Sequence, residues 1–401
     1  MPGMKTIQIV FHDAGGGHRN AAVALQKIIA EQKRPWNVQL VQLQEILDDL
    51  DWFRQLTGIR TQECYNSLLQ NGWTLGSTWL LRLLQATIRV YHPAALTRLQ
   101  AYWEQHPGDL LISVVPHFNR VLRESWRAVH GEKLFVTILT DLADYPPHFW
   151  IEKQEQHFVC GTGRAVEQVR QFGGEKAQIT HVSGMILRPE FYAPDDSDPL
   201  ALRRELGLQE DLPTGIVLFG GQGSKAMYEI AERLDAAGLP IQLILICGKN
   251  EALAAKLRAR SWRMPLHVMG FTTEVHRIMR AADFFIGKPG PGSISEAMTR
   301  GLPVIIECNA WTLPQERYNA EWVQEKRVGV VLKNFRGIAG AVAHFLQDGT
   351  LAQYRANARA LENRAVFEIA ELLAQLLAAE ASAMARSETG SAPAAQACLS
   401  V

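Results

Sequence analysis

The sequence predicts an α/β protein built from two doubly wound domains, each a parallel sheet covered by helices on both faces. Short apolar runs rich in β-branched residues alternate with longer helical patterns, which is typical of strands buried on both faces. A stretch rich in proline and aspartate interrupts this series, and each half carries a glycine-rich turn between a strand and a helix. The predicted strands are residues 6–11, 110–115, 134–139, 179–182, 215–219, 241–247, 266–269, 283–286, 303–307 and 329–332.

The interruption divides the 401 residues into two domains, since a domain takes roughly 100–200 residues. Residues 187–200, LRPEFYAPDDSDPL, show no apolar periodicity, and we interpret them as a linker. Two similar halves around a linker form a cleft, and the carboxyl ends of both sheets face it. The predicted boundaries are an N-terminal domain at 1–186, the linker at 187–200, a C-terminal domain at 201–365, a C-terminal helix at 366–386 and a disordered tail at 387–401.

The balance of charges and the cysteine pattern exclude several classes of protein. The chain has 41 Lys and Arg against 41 Asp and Glu, so we expect no nucleic-acid partner. Its 5 cysteines are scattered without a C-x-x-C pair, which indicates a reducing compartment and no structural zinc. The N-terminus lacks a signal-peptide pattern and no run of about 18 apolar residues occurs, so we expect no membrane-spanning segment.

Acidic and histidine side chains do not occur in the pattern of a metal site. No acidic pair ends a strand beside a glycine-rich turn, so we interpret the pairs as helix caps or solvated acids and expect no metal. Asp141 is the exception, because it follows a strand and could face the cleft. Three histidines lack metal-ligand spacing and are interpreted as isolated side chains. The pairs are Asp49 with Asp51, Asp141 with Asp144 and Asp196 with Asp198, and the histidines are His117, His148 and His157.

The first glycine-rich turn lies in residues 11–25, FHDAGGGHRNAAVAL. A strand ends near His12, three glycines follow, and a helix begins near Arg19. Glycines allow a backbone to approach a ligand closely, and a helix N-terminus offers unpaired N–H groups to an anion or a polar ligand. The G-x-G-x-x-G spacing of a dinucleotide site is absent. A tight turn without a ligand is the alternative.

The second turn lies in residues 218–227, LFGGQGSKAM. Its three glycines suit a nest of N–H groups around phosphate oxygens, and Lys225 lacks the spacing of a P-loop. The third turn, in residues 283–307, joins a buried strand to a helix through Gly290-Pro291-Gly292 and Ser293. Small residues at a helix N-terminus leave room for phosphate, which the helix dipole favours.

Two groups of polar side chains follow these turns. We place Glu296 in the first turn of its helix, where it either caps the helix or accepts two hydrogen bonds from the hydroxyls of a ribose. Residues 311–323 present Gln315, Glu316 and Asn319 at spacings that suit a polyhydroxylated ring. A solvated helix start is the alternative for this second group.

Three of these segments, HDAGGGHR, GPGSISEAMTRGLP and PQERYNA, resemble glycosyltransferase family 28. The sequence is most similar to the monogalactosyldiacylglycerol synthases and the bacterial diacylglycerol glucosyltransferases, over about residues 5–350. The resemblance implies the GT-B fold, with the acceptor on the N-terminal half and a UDP-sugar on the C-terminal half. It also implies inverting transfer of galactose or glucose to a diacylglycerol-type lipid, which gives a β-glycosyl lipid without a cofactor or metal.

The resemblance also assigns roles to residues at the matching positions. His18 is the expected general base, and Asp13 orients the glycine loop or His18. Phe271 reads the uracil through its backbone, and Glu296 binds the ribose hydroxyls. The phosphates are met by Gly220, Gly221, Gly223, Gly290, Pro291, Gly292 and Ser293, the sugar by Gln315 and Glu316, and the acceptor side carries Gly16, Gly17, Asp141, His148 and Trp150.

The sequence departs from the plant enzymes at three places. Ala14 replaces a threonine in the first turn. The segment TDLADYPPHFW, residues 140–150, keeps its ends but changes the middle, where the plant enzymes carry Cys-His-Pro, and residues 317–318 after Glu316 also differ. The last two departures leave the lipid acceptor and the hexose open.

Residues 72–91 form a broad apolar helix face with one narrow polar stripe. Such a helix lies in a membrane interface with its arginines toward the headgroups, or it is a core helix with a thin wet edge. The first alternative implies an anionic membrane surface as partner, at the cytoplasmic, inner face of a bacterial cell membrane. The stripe is Thr78, Arg82, Gln85 and Arg89, and the nearby aromatic residues are Trp52, Phe53, Trp73 and Trp79.

Three other functions use the same fold or the same donor. A UDP-sugar epimerase needs acid and base groups on the donor itself and no apolar acceptor surface. A transferase of lipid-linked peptidoglycan precursors differs in its acceptor. A UDP-sugar sensor binds the donor and a partner protein without catalysis.

Overall fold

The computed structural model describes residues 4–13, 16–48, 77–193 and 198–389. They form two parallel six-stranded sheets, one in each half of the chain. Separate apolar clusters cover the two faces of each sheet. The prediction of two doubly wound α/β domains is therefore confirmed, and the architecture is GT-B.

The N-terminal sheet has the strand order β2-β1-β3-β4-β5-β6. Its strands are Lys5–Phe11 (β1), Trp36–Gln42 (β2), Leu110–Ser113 (β3), Leu134–Ile138 (β4), His157–Cys160 (β5) and Gln178–His181 (β6). The accompanying helices are Gly17–Glu31 (α1), Leu43–Leu47 (α2), Ser77–Gln105 (α3), Asn119–His130 (α4) and Gly163–Phe172 (α5). The strand order reverses between β1 and β3, so the loops after these two strands meet at the switch point where α/β sheets bind ligands.

The C-terminal sheet has the strand order β12-β11-β10-β7-β8-β9, with its switch point between β7 and β10. Its strands are Thr214–Leu218 (β7), Gln242–Ile246 (β8), Leu266–Met269 (β9), Phe284–Gly287 (β10), Val304–Glu307 (β11) and Gly329–Leu332 (β12). The helices are Pro199–Glu205 (α6), Ala226–Ala237 (α7), Glu251–Ala259 (α8), Val275–Ile278 (α9), Pro291–Thr299 (α10), Arg317–Glu325 (α11), Ile338–Phe345 (α12), Thr350–Arg359 (α13) and Ala365–Thr389 (α14). Short 3₁₀ turns are Pro189–Phe191, Met279–Ala281, Pro314–Glu316 and Phe335–Gly337.

The last helix, α14, returns from the C-terminal domain to the N-terminal domain. Its apolar residues pack in one cluster with Ile7 and Ile9 of β1 and Leu25 of α1. The helix reaches Thr389, past the predicted end at 386 and into the segment predicted to be disordered. Residues 390–401 lie outside the described residues. The predicted linker at 187–200 contains a 3₁₀ turn and, at its end, the start of α6, which Asp198 caps through the N–H groups of residues 200 and 201.

All ten predicted strands are present with bounds that differ by at most two residues. Two strands, β2 and β5, were not predicted. β2 alternates polar and apolar residues at the edge of the sheet, with only Val41 buried, and β5 has only four residues. Both lack the long apolar run that identified the others.

No helix among the described residues is long and apolar enough to cross a membrane. The proposed interfacial stretch falls largely beyond them. Its aromatic residues Trp52, Phe53 and Trp73 lie outside the described residues, and so do the side chains of Thr78, Trp79, Arg82 and Gln85. Within α3, the described part of this stretch carries Val90 at 75% exposure and Tyr91 at 36%.

Candidate active site

The first glycine-rich turn lies at the switch point of the N-terminal sheet. The helix after it begins at Gly17, two residues before the predicted start at Arg19. Gly16 has φ +81°, a left-handed conformation that favours glycine. A Cβ built on Gly16 or Gly17 would meet no atom of the described residues within 4 Å, so this backbone borders open space. The turn therefore leaves room for a substrate beside the N-terminus of α1.

His18 is held at this turn by residues from another strand. Its Nδ1 lies 2.8 Å from the Thr140 hydroxyl, two residues after the end of β4, and its ring is 5.8 Å from that of Trp150. Burial lowers the pKa of His18 to about 4, although the Val114 carbonyl opposes this shift. The imidazole is therefore neutral at physiological pH and can accept a proton.

Asp13 has a different contact from the one that would orient the base. Its carboxylate lies 3.3 Å from the guanidinium of Arg19, at an exposed position. The described hydrogen-bond partners of the His18 ring are the Thr140 hydroxyl and the Val114 carbonyl. Thr140 lies in the TDL segment that the sequence shares with the family, but no role was predicted for it. The shared motif was the signal that could have identified this residue.

Two buried carboxylates hold the loop after β4. Asp141 accepts a hydrogen bond from the Trp150 indole at 2.8 Å, and Asp144 accepts from the backbone N–H groups of His148 and Trp150 at 2.9 and 2.6 Å. Burial raises the pKa of Asp141 to about 7 and that of Asp144 to about 6. Asp144 was interpreted as a cap or a solvated acid, and the second alternative is wrong, because Asp144 is fully buried and its carboxylate accepts from N–H groups of its own loop.

The acceptor-side residues named from the resemblance divide into two groups. Trp150 is fully buried between Asp141 and His18, so the structure brings these three together. The ring of His148 instead lies 5.4 Å from that of Phe172 on α5, and its Nδ1 is 3.3 Å from the Ile151 carbonyl. The described contacts of His148 are thus with the loop after β4 and with α5, and none of them is with His18.

The second glycine-rich turn follows β7. Gly223 has φ +63°, and a Cβ there would lie 2.5 Å from the Cys247 carbonyl, so only glycine fits. Gly220 also has a left-handed φ of +74°, and a Cβ there would lie 4.0 Å from Cε of Lys288. Around Gly221 a Cβ would meet no described atom within 4 Å, which leaves its backbone open to a ligand.

The third glycine-rich turn places the cation Lys288 beside the second turn. Gly290 precedes α10, and Pro291 opens the helix, so the free N–H groups of this N-terminus point to the switch point. Lys288 Nζ lies 2.7 Å from Glu316 Oε1, and a Cβ on Gly290 would be 3.4 Å from Cε of Lys288. Two glycine turns, a helix N-terminus and a lysine therefore converge as an anion site. Sequence reasoning missed Lys288, although its position before the PGPG turn was a usable signal.

Glu296 lies in the second turn of α10 rather than the first. The helix begins at Pro291 after Gly290, with no side-chain cap, so the helix-cap alternative for Glu296 is wrong. Burial raises the pKa of Glu296 to about 7, against the opposing charge of Arg188. Among the described residues its carboxylate has no hydrogen-bond partner, and it is therefore available to the hydroxyls of a ligand.

The remaining donor-side residues lie around these turns. Phe271 follows β9 and is 60% exposed, with Lys249 Nζ at 5.9 Å from its ring centre. Gln315 is half-buried in the 3₁₀ turn before α11, where Glu316 is buried. At the start of α10, Ser293 is half-buried and Gly292 is exposed. Asn319 donates to the Pro289 carbonyl at 2.7 Å and so ties α11 to the third turn.

The two halves meet across this cleft. Leu142 and Ala143 from the loop after β4 pack with Tyr318 of α11. The carboxylate of Glu316 is near enough to Asp141 to help raise its pKa. The loop that holds His18 on one half therefore lies across the cleft from Lys288 and Glu316 on the other. In the described part of the chain no group of three metal-ligating side chains could hold a metal ion.

Comparison with known proteins finds a matching family model and relatives similar in sequence. The model of the glycosyltransferase family 28 C-terminal domain matches residues 215–373. A probable chloroplastic monogalactosyldiacylglycerol synthase of Glycine max is 31% identical over 93% of this chain and 72% of its own length. Monogalactosyldiacylglycerol synthase 1 of Arabidopsis thaliana is 30% identical over 84% of this chain, which spans 64% of that relative.

Solved structures are similar in fold at low sequence identity. MurG of Acinetobacter baumannii has a TM-score of 0.59 and 13% identity, and covers 92% of this chain and 99% of its own. Anabaena HepE in complex with UDP-glucose has a TM-score of 0.53 and 15% identity, and covers 94% of this chain and all of its own.

Proposed function

This chain belongs to glycosyltransferase family 28, and on that premise we propose that it transfers a hexose from a UDP-sugar to a diacylglycerol-type lipid. The hexose is galactose or glucose, and the product is a β-glycosyl lipid. One observation carries the proposal: neutral His18 faces, across one cleft, the anion site of Lys288 and the two glycine turns. The names of the plant relatives support the lipid acceptor, and UDP-glucose bound to Anabaena HepE supports the donor.

The reaction follows from the two sides of the cleft. An acceptor hydroxyl is a poor nucleophile until a base takes its proton. Thr140 holds Nδ1 of His18 at 2.8 Å, and the neutral imidazole supplies the base that takes that proton. As the acceptor oxygen bonds to the anomeric carbon, the bond to the diphosphate breaks, and UDP leaves with the negative charge. Attack opposite the leaving group inverts the anomeric centre, so an α-linked donor gives a β-glycoside.

The leaving diphosphate is stabilised by groups of the chain itself. Lys288, the N–H groups of the second glycine turn and the N-terminus of α10 offer positive charge where negative charge develops. Glu316 keeps Lys288 in place before the donor arrives. We propose on this basis that the enzyme needs no metal ion.

Activity is therefore expected to survive EDTA at unchanged kcat, because Lys288 and the helix N-terminus supply the charge that Mg²⁺ would otherwise bring. Initial rates measured with and without chelator, in parallel with a metal-dependent transferase as control, check this expectation. Loss of activity that Mg²⁺ or Mn²⁺ restores would contradict it and would direct attention to Asp141 and Asp144.

The substitution Thr140→Val is expected to lower kcat about five- to tenfold, because one hydrogen bond contributes about 1–1.5 kcal/mol. Without the hydroxyl the His18 ring loses the partner that fixes its orientation. The KM for the UDP-sugar should not change, since Thr140 lies on the acceptor half. Thr140→Ser keeps the hydroxyl and serves as control. Equal losses of kcat in both variants would show that Thr140 acts through packing.

We propose that the protein works as a peripheral enzyme on the inner face of a bacterial cell membrane. The exposed side chains of Val90 and Tyr91 on α3 support an interfacial position for this helix. Amphipathic helices of this kind bind anionic lipid surfaces through an apolar face and flanking arginines. Arg89, which is exposed beside Val90, suits that contact.

A single experiment tests the function and separates the alternatives. The protein is incubated with radiolabelled UDP-glucose or UDP-galactose and diacylglycerol vesicles, and label in the organic phase is measured. Interconversion of soluble UDP-sugars would indicate an epimerase, and donor binding without turnover would indicate a sensor. A lipid-linked muramyl peptide, offered in parallel, would be labelled by a peptidoglycan-precursor transferase. Transfer to diacylglycerol from one of the two donors is the expected result.

A further inference from the structure

Three histidines from different segments meet at the switch point of the N-terminal sheet. His12 follows β1, His18 lies at the start of α1, and His117 follows β3, the neighbour of β1. Burial is the main cause that lowers the pKa of His12, and both His18 and His117 lie close enough to add to this shift. His117 was interpreted as an isolated side chain without metal-ligand spacing, and His12 was given no role.

His117 is held in an unusual backbone conformation. Its φ is +67°, a left-handed value uncommon for histidine, and its N–H donates to the Phe149 carbonyl at 2.7 Å. The ring packs edge-on against Phe149 at 4.2 Å between centres. Its Nε2 is buried and has no hydrogen-bond partner among the described residues. Strained residues with unsatisfied polar groups cluster at ligand sites, because the fold keeps them for a ligand.

A second unsatisfied group lies on the other side of His12. The side chain of Gln44 from α2 forms a hydrogen bond with the His12 ring, which opposes the lowering of the pKa of His12 by burial. Its Oε1 is buried without a partner in the described part of the chain. The His12 ring also lies 5.4 Å from Phe118. The His12 ring is thus flanked by two orphaned polar atoms and by aromatic rings.

We propose that His117 and Gln44, on either side of His12, form a subsite for the uncharged polar backbone of the acceptor, its free hydroxyl and its ester carbonyls. The proposal rests on the proposed function and names the acceptor contacts next to His18. An imidazole Nε2 and an amide oxygen can between them donate to an ester carbonyl and accept from a hydroxyl.

The charge state of the subsite restricts what it can bind. Burial lowers the pKa of His12 to about 3 and that of His117 to about 4, so both rings are neutral at physiological pH. The nearby cation, Arg19, is already paired with Asp13. An anionic group would therefore be buried without a countercharge from the described residues, which is costly. The subsite should accept an uncharged glycerolipid and reject one that carries a carboxylate at the same position.

The substitution His117→Asn tests the contact, because asparagine tolerates the left-handed backbone and removes the ring. The KM of this variant for a short-chain diacylglycerol dispersed as monomers should rise about tenfold, because one hydrogen bond to a buried group is lost. The Kd for the UDP-sugar, measured by calorimetry, should not change. His157→Asn is the matched control, because His157 is also half-buried with an orphaned Nδ1. It is the first residue of β5 and so lies at the amino ends of the strands, whereas His12 and His117 follow the carboxyl ends.

A second variant and two inhibitors test the same subsite independently of His117→Asn. Gln44→Met removes the other orphaned group at similar size and should also raise the acceptor KM without affecting donor binding. The uncharged acetate ester of the same diacylglycerol should inhibit competitively, and the anionic hemisuccinate ester should inhibit at least tenfold less well. Unchanged acceptor KM in both variants, or equal inhibition by both esters, would overturn the proposal. A wild-type protein that labels no diacylglycerol would overturn the proposed function instead.

Discussion

Replacing His18 with Gln is expected to lower kcat by about 10²–10⁴-fold, the range that general-base catalysis contributes. Gln cannot take the acceptor proton, while the donor site on the other half stays intact. The pH dependence of kcat/KM in the wild-type enzyme should show the titration of His18. Because the pKa of His18 is lowered to about 4, the neutral base prevails above that value. The acid limb of kcat/KM should therefore fall near pH 4, well below the ordinary 6.5, and should vanish in the variant.

The double variant His18→Gln with Thr140→Val gives the control. Thr140 contacts the ring at Nδ1, so its loss should cost nothing further once the imidazole is gone. Donor affinity and melting temperature should stay close to wild type in all three proteins. A His18→Gln enzyme with near wild-type kcat would mean that another group is the base. Additive losses in the double variant would mean that Thr140 acts elsewhere.

The fold was predictable because most strands are buried on both faces. Strands such as Val304–Glu307 read as continuous apolar runs, and periodicity alone identifies them. β2 at the sheet edge needs no such run, since solvent covers part of it. The extension of α14 to Thr389 was not predicted either, and the packing of α14 against β1 and α1 does not explain it, because the buried residues of this helix end at Leu377.

The candidate site was predictable where one segment carries a whole chemical feature. The glycine turns and His18 lie in short motifs, so their positions follow from local sequence. The contact of Thr140 with His18 joins residues 122 positions apart, and that of Lys288 with Glu316 joins residues 28 apart. Such pairs depend on which strands are neighbours in the sheet. The same holds for His117, whose importance depends on β3 lying beside β1.

The substitution Glu296→Ala is expected to raise the KM for the UDP-sugar by at least about 100-fold, because two hydrogen bonds to a charged group contribute about 1.5–3 kcal/mol each. The carboxylate of Glu296 has no hydrogen-bond partner among the described residues, so its removal takes no hydrogen bond from the fold. The kcat at saturating donor should change little, since ribose binding is the same in the ground state and the transition state.

The pH dependence of donor binding separates this role from a structural one. Burial raises the pKa of Glu296 to about 7, and ribose hydroxyls bind the carboxylate form. Affinity for UDP-glucose should therefore rise with pH up to about 7 and then level off, and in Glu296→Gln it should be weak and flat. Glu152→Gln is the control, because the pKa of Glu152 is also raised to about 7 but its carboxylate accepts the Arg120 N–H on the other half. That variant should lose stability and keep its donor affinity. If Glu296→Gln instead melted earlier and bound UDP-glucose like the wild type, Glu296 would be a structural residue of α10.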